Sequence, residues 1–307
     1  MTTEPTKTDN DMSEDLHANP NTGEIRDLIK SFVSNYSIEI IPTEARAEAL
    51  ISSPILPGTD VYVAHPPNAS LSQVVDAAID VQKSGCQAVP HLVARKLTSV
   101  EQLETALKRL QDSDINKILV IGGDKADPDR IFDSSLDVFY TGMLERHGFE
   151  HIGFAGHPEG SRHIGASILK QALADKLAYA AQSPSQFYIL TQFGFDSEPI
   201  IAFEKSIRAD GHSLPIDVGL AGKTDTQKLL KFAVRCGVRS SLGLLFSRSD
   251  ILKGLTVASP ENLLRDIARY SRTQPDSLFR RGHFFTFGDV ELTANWLSTF
   301  HGPKFEQ

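Results

Sequence analysis

Short apolar runs recur along the chain, and seven of them end against a turn: Ser37 to Ile41, Val61 to Ala64, Ala88 to Pro90, Ile118 to Gly123, Ile152 to Gly156, Tyr188 to Thr191 and Ile216 to Ala221. Buried parallel strands read as apolar runs, and the residues at their carboxyl ends face whatever the fold binds. In or just beyond these runs stand Glu39, His65, His91, Asp124, His157 and Gln192. Gathered at one rim, they make an enzyme-like face.

Between the runs the period changes from strand to helix. Ile25, Leu28, Ile29 and Phe32 keep helical spacing, as do Leu71, Val74, Val75, Ala78 and Val81, closed by Gly85. Thr98-Ser99-Val100-Glu101 reads as a capping box, with Thr98 as the cap. It opens a helix whose apolar face is Val100, Leu103, Ala106, Leu107 and Leu110. Further helices are expected near 135–147, 164–181, 198–210, 226–236, 240–246 and 260–271. A last strand over 283–287 and a helix capped by Asp289 complete the pattern. Eight strand candidates with intervening helices predict a single-domain (β/α)8 TIM barrel over residues 25–307. A doubly wound open sheet is the alternative, but the first strand ends in Glu-Ile-Ile-Pro rather than a glycine-rich turn.

Composition narrows the function. The 307 residues carry a net charge of −8 with Lys and Arg dispersed, which argues against a nucleic-acid surface. Residues 1–24 are polar and acidic without a hydrophobic signal core, and read as a disordered tail. No apolar stretch is long enough to span a membrane, and Cys86 and Cys236 offer neither a disulfide framework nor zinc spacing. The expectation is a cytoplasmic protein without a metal; a homo-oligomer is allowed.

Several motifs fail on inspection. Gly222-Lys223-Thr224 lacks the glycine a phosphate loop needs, since Asp217 occupies that position. His157-Pro158-Glu159 lacks the second helical histidine of a metalloprotease. His151, His157 and His163 are too loosely spaced to argue for a metal, and neither Ser161 nor Ser249 sits in a nucleophile elbow. Trp296 reads as helix packing.

Taken in order, Ser37-Ile38-Glu39-Ile40-Ile41-Pro42, Pro90-His91-Leu92, Gly123-Asp124, His157-Pro158-Glu159 and Thr191-Gln192-Phe193-Gly194-Phe195-Asp196 resemble the strand-end motifs of the methylenetetrahydrofolate reductase family, in its short bacterial branch. The resemblance runs from about Tyr36 to the C-terminus. It implies interconversion of 5,10-methylenetetrahydrofolate and 5-methyltetrahydrofolate, with FAD as hydride carrier and NAD(P)H as reductant. Glu39 would then be the general acid that protonates N10, and Asp124 would orient the folate and stabilise the developing iminium. Gln192 and Phe195 would contact the substrate. Ala64, His65, His91, Gly122, Gly123, Asp124, His157 and Lys176 would line the cofactor. From the residues alone, Glu39 could equally pair with an arginine, Asp124 could cap a helix, and Lys176 could be a solvated surface lysine.

Three departures from the family pattern bear on the cofactor. Gly122 replaces an arginine, Ala64 replaces a threonine, and Ser161 replaces a histidine. Each removes a donor or a charge that would grip FAD. Flavin-free hydride transfer from NADH, oxidation of methyl-tetrahydrofolate in a demethylation pathway, and a non-catalytic folate-binding barrel are therefore the competing readings. Lys223 or Arg248 is a further candidate, for the carboxylates of a polyglutamate tail.

Overall fold

Alternation within each apolar run decides which side chains enter the barrel and which meet the helices. The computed structural model describes residues 21–124, 126–161, 164–236, 257–258 and 260–301. A first helix, α1 (Asn21–Val33), leads into β1 (Ser37–Ile40); α2 (Ala47–Ser52) precedes β2 (Asp60–Val63), and α3 (Leu71–Lys83) precedes β3 (Gln87–Val93). The alternation continues with α4 (Val100–Gln111), β4 (Lys117–Ile121), α5 (Ser135–Tyr140), α6 (Met143–Arg146), β5 (His151–Gly156), α7 (Ala166–Ala180) and β6 (Gln186–Thr191). Then come α8 (Ser197–Ala209), β7 (Ile216–Ala221), β8 (Thr224–Asp225), α9 (Thr226–Cys236), β9 (Val257–Ala258), α10 (Glu261–Thr273), β10 (Phe279–Phe285) and α11 (Val290–Ser298).

Strands β1 to β7 and β10 close into a barrel of eight strands, each parallel to its neighbours. The fold is the (β/α)8 barrel that the run pattern predicts. In β1, Ile38 and Ile40 join the large core shared with the helices, while Glu39 takes the opposite face. Tyr62, Val89, Leu119, Tyr188 and Leu190 form a second, interior cluster. Gly153 makes room for it: a Cβ there would lie 2.5 Å from the Tyr188 ring, whose hydroxyl accepts from Tyr62 at 2.8 Å.

Charged side chains fill the amino-terminal end of the barrel. Arg281 donates to Asp217 at 3.0 Å and pairs with Asp60 at 2.7 Å, and Lys117 donates to Asp60 at 2.6 Å. This network explains why β10 begins at Phe279 rather than at 283. Both guanidinium groups of the adjacent pair Arg280-Arg281 are claimed by Asp217.

Other boundaries also differ from expectation. Helix α1 starts at Asn21, inside the expected tail, because its polar first turn carries no apolar period. Residues 1–20 lie outside the described residues. The expected helix over 135–147 breaks at Gly142, whose φ of 62° is left-handed. The cap of α4 is Ser99, which accepts from the Gln102 amide at 3.1 Å; the Thr98 amide instead donates to the Gln102 side chain. The antiparallel β8–β9 pair and the short α2 have no counterpart in the sequence reading. The helix expected near 240–246 and Arg248 lie outside the described residues. Among the described residues, no helix is long and apolar enough to cross a membrane.

Candidate active site

Because the barrel is parallel, residues late in every strand converge at one mouth. Glu39 sits there on β1, between register partners Tyr62 of β2 and Phe285 of β10. Side chains in register on neighbouring strands share a face, so Glu39 points inward with them. Its Oε2 lies 3.5 Å from Nε2 of His91 on β3 and 3.9 Å from Nε2 of His283 on β10. Neither separation is a hydrogen bond, and these three buried atoms have no hydrogen-bond partner among the described residues.

Ser37 holds His283 from below, its hydroxyl 3.0 Å from Nδ1. Tyr62 sets both imidazoles edgewise, with ring centroids 4.5 Å from His283 and 6.0 Å from His91. The edge of Phe285 closes the other side of His283 at 4.7 Å.

These surroundings fix the protonation states. Burial pushes the Glu39 carboxyl up to about 8, and the neighbouring Glu44 carboxylate adds to the rise. Burial lowers His91 to about 3, with His65 contributing, and drives His283 well below the usual histidine range. Both imidazoles are neutral, so neither forms an ion pair with Glu39 that would return it to the ordinary carboxylate range. At neutral pH the group is a carboxylic acid held between two neutral imidazoles. That is the charge state of a proton donor.

A second group gathers at the ends of β2, β4 and β5. His157 follows β5 and is lowered to about 4, by burial and by Lys176 of α7, with Asp124 opposing. Lys176 is itself lowered by burial and lies 5.5 Å over the Phe154 ring. Asp124 is exposed, three residues beyond β4. His65, just beyond β2, is lowered to about 4 by burial and by Lys96; its Nε2 is 3.0 Å from the Ala69 carbonyl. Half-buried Ala64 bonds through its amide to the Ile40 carbonyl, at the open end of β1.

An aromatic wall stands on the opposite side of the mouth. Phe193, Phe195, Phe285 and Phe287 pack with Ala221 and Leu229, apart from the main core. Phe287 adopts φ 53°, a left-handed turn uncommon for a bulky residue. The turn brings its ring within 5.0 Å of Phe193 and 4.9 Å of Phe232. Gln192 lies half-buried beside this wall, its amide bonded to the Gly156 carbonyl.

The expected residues thus fall into three groups: Glu39 with His91, Asp124 with His157 and Lys176, and Gln192 with Phe195. His151 belongs to none of them. It starts β5 and pairs in register with Lys117, a strand length from His157. His163 lies outside the described residues. Lys223 does not project freely at the rim: its ammonium is 3.4 Å from Glu261 and 5.7 Å over the Trp296 ring. Sequence reasoning missed His283, Ser37 and Tyr62. Their signal was available in the period-two alternation of Arg281, His283 and Phe285, and in the polar Ser37 two positions before Glu39.

The family model described as methylenetetrahydrofolate reductase matches residues 61–242. Among solved structures, the chain is similar to an uncharacterized protein from Clostridium thermocellum that binds two copies of 5-methyl-5,6,7,8-tetrahydrofolic acid. The identity is 12%, the TM-score is 0.52, and the match covers 89% of this chain and 97% of that one. A short-chain dehydrogenase/reductase variant from Serratia marcescens matches at 11% identity over 84% of this chain and 99% of its own, with a TM-score of 0.28. The first likeness concerns the fold, and the second is too weak to bear on it.

Proposed function

Because the chain belongs to the methylenetetrahydrofolate reductase family, we propose that it interconverts 5,10-methylenetetrahydrofolate and 5-methyltetrahydrofolate, with Glu39 as the acid that protonates N10. The observation carrying this reading is a carboxyl raised to about 8 at the barrel mouth. Opening the five-membered ring breaks the bond between N10 and the bridging carbon. The electron pair goes to N10, which needs a proton, and the carbon is left as an iminium on N5. A neutral Glu39 supplies that proton and is left as a carboxylate. The same group takes the proton back when the reaction runs toward the methylene form.

His91 and His283 keep the acid desolvated without ionising it. The exposed Asp124 carboxylate suits stabilisation of the iminium charge. Gln192, with a donor and an acceptor on one amide, suits the edge of the pterin. The wall of Phe193, Phe195, Phe285 and Phe287 suits its aromatic face or the adjoining aryl group. Binding of methyl-tetrahydrofolate by the Clostridium thermocellum protein supports a folate ligand in this mouth.

FAD is the hydride carrier this reading favours. The residues that would hold it are Ala64, His65, His91, Gly122, Gly123, Asp124, His157 and Lys176. They fit a diphosphate-bearing flavin in one respect that matters: Lys176 is half-buried, lies over an aromatic face and pairs with no carboxylate among the described residues. When bound, the flavin would carry hydride between NAD(P)H and the folate carbon. A second reading keeps the reaction but drops the flavin, with NADH donating directly. It is favoured by Gly122 and Ala64, which offer no side-chain donor. An absorbance spectrum of the fresh protein separates the two, since a flavoprotein is yellow and bleaches on reduction.

The test of the acid is Glu39→Gln. The variant is expected to lose at least about 100-fold in turnover, the lower end of the range for one general acid, while binding 5-methyltetrahydrofolate nearly as tightly. Unchanged turnover would overturn the assignment.

A further inference from the structure

Near the ends of β3 to β5 stand three bases, Arg95, Lys96 and Lys176, that form no ion pair among the described residues, with the exposed carboxylate of Asp124 beside them. Several described bases meet a carboxylate: Lys117, Arg109, Arg130, Arg208, Arg280 and Arg281 all do. Arg95, Lys96 and Lys176 do not, among the described residues. Lys96 spends its three N–H groups on the carbonyls of Pro66, Pro67 and Ala69, so it serves to hold the loop after β2. Arg95 is different. Its Nε donates to the Asp133 carbonyl at 2.7 Å and Nη1 to the Gly123 carbonyl at 2.8 Å. Nη2 and one Nη1 hydrogen are left over.

Two carbonyls orient a guanidinium without discharging it. The backbone adds to the clamp, because the Arg95 amide donates to Gly122 at 3.1 Å and the Arg95 carbonyl accepts from Asp127 at 2.7 Å. The result is a fixed positive charge beside two consecutive glycines. Among the described residues, the one atom within 4.0 Å of a Cβ built on Gly122 is Cζ of Arg95. The guanidinium therefore stands within van der Waals reach of the point where a side chain at 122 would begin.

We infer that Arg95, delivered from the end of β3, supplies the cationic grip on a diphosphate-bearing dinucleotide that position 122 does not supply in this chain. The side-chain-free Gly122-Gly123 pair gives the anion close access to the backbone, and Lys176 of α7, over the Phe154 ring of β5, provides a second positive group. The inference rests on the proposed folate oxidoreductase reading for the identity of the ligand. Its geometry does not involve Glu39.

The experiment measures dissociation constants of the full chain for FAD, by quenching of flavin fluorescence, and for NADH, by its own fluorescence. 5-Methyltetrahydrofolate is titrated separately by calorimetry. Four variants are compared with the native protein: Arg95→Ala, Arg95→Lys, Gly122→Arg and the double variant Arg95→Ala/Gly122→Arg. Thermal unfolding and far-UV circular dichroism confirm that each is folded.

Arg95→Ala is expected to weaken dinucleotide binding at least tenfold, and Arg95→Lys to weaken it less. Gly122→Arg alone should also weaken it, because two guanidinium groups then contend for one space. The double variant should recover to within about threefold of native. Folate affinity should move less than twofold throughout. If Arg95→Ala binds FAD and NADH as tightly as the native protein, or if the double variant binds no better than Arg95→Ala, the inference is wrong. Native protein that binds folate but neither dinucleotide would also overturn it, while leaving the folate reading in place. Loss of folate binding from the native protein would instead overturn that reading.

Discussion

Glu39 is a residue whose burial opposes folding whenever it is ionised, and the sign can be followed through pH. Its folded pKa of about 8 lies above the ordinary value of 4.5, so the folded state holds the proton more tightly than the unfolded chain does. Stability therefore carries no penalty from Glu39 below about 4.5, falls as pH rises toward 8, and levels off beyond. Glu39→Gln should remove this slope. The variant is expected to match the native protein near pH 4 and to be more stable by roughly 2–5 kcal/mol at pH 8.5. Denaturant titrations at the two pH values check it; equal stability differences at both would mean an ordinary carboxylate. Turnover in the direction that needs the acid should fall above pH 8 for the same reason. Glu39, His91, Asp124 and Gln192 were legible in sequence as polar positions in or just beyond apolar runs, and Phe195 by its place in the Thr191-Gln192-Phe193-Gly194-Phe195-Asp196 motif. His283 was not, because its partner Ser37 lies 246 positions away and only barrel closure joins them.

At the scale of the element, two glycines decide whether strands approach closely enough. A Cβ on Gly219 of β7 would lie 2.2 Å from the Thr191 carbonyl oxygen, a backbone atom that cannot swing aside. Gly219→Ala is expected to destabilise the protein by about 3 kcal/mol or more, through overpacking against backbone. Gly153→Ala meets the Tyr188 ring instead and should additionally break the Tyr62–Tyr188 hydrogen bond. Chemical denaturation of both variants gives the measurement, and a loss under 1 kcal/mol for Gly219→Ala would refute the packing argument. Helix caps supply a milder test. Ser99→Ala should cost about 1 kcal/mol because it uncovers the Gln102 amide, whereas Thr98→Ala should cost less than half as much. Sequence spacing located this cap within one residue. It could not choose between two adjacent hydroxyls, since the choice depends on where the preceding 3-10 turn, Ala94–Lys96, delivers the chain.

For the whole molecule, stability and chemistry occupy opposite ends of the barrel. The amino-terminal end is closed by Lys117, Asp60, Arg281, Asp217 and Arg280, with Arg280 also 4.8 Å over the Tyr188 ring. Burial works to raise the Asp60 pKa, but Arg281 and Lys117 outweigh it and hold the carboxyl below its ordinary value. Asp60 accordingly stabilises the fold above that ordinary value, and the contribution is lost as pH falls through the folded pKa. Asp217→Asn leaves two guanidinium groups short of a carboxylate in a buried position. It is expected to cost about 3–5 kcal/mol, with little change in folate affinity at the far end. A variant of native stability would show that the network is dispensable. Such a plug has no sequence signature beyond the adjacent pair Arg280-Arg281, because its carboxylates Asp60 and Asp217 come from other strands.

Local chemistry determined a great deal in advance. The apolar runs, their spacing and the helical periods between them specified a parallel barrel, because strand burial and strand–helix alternation are written in neighbouring residues. The same runs put Glu39, His91 and Asp124 at strand ends. Pairing of β3 with β4 set Arg95 beside Gly122. Closure of the barrel decided the rest: that His283, held by Ser37, reaches Glu39, and that an aromatic wall forms from the ends of β6 and β10. These depend on residues scores to hundreds of positions apart meeting across a ring, and on the loss of water there. Only the folded chain sets both the distance and the dielectric that make Glu39 an acid at neutral pH.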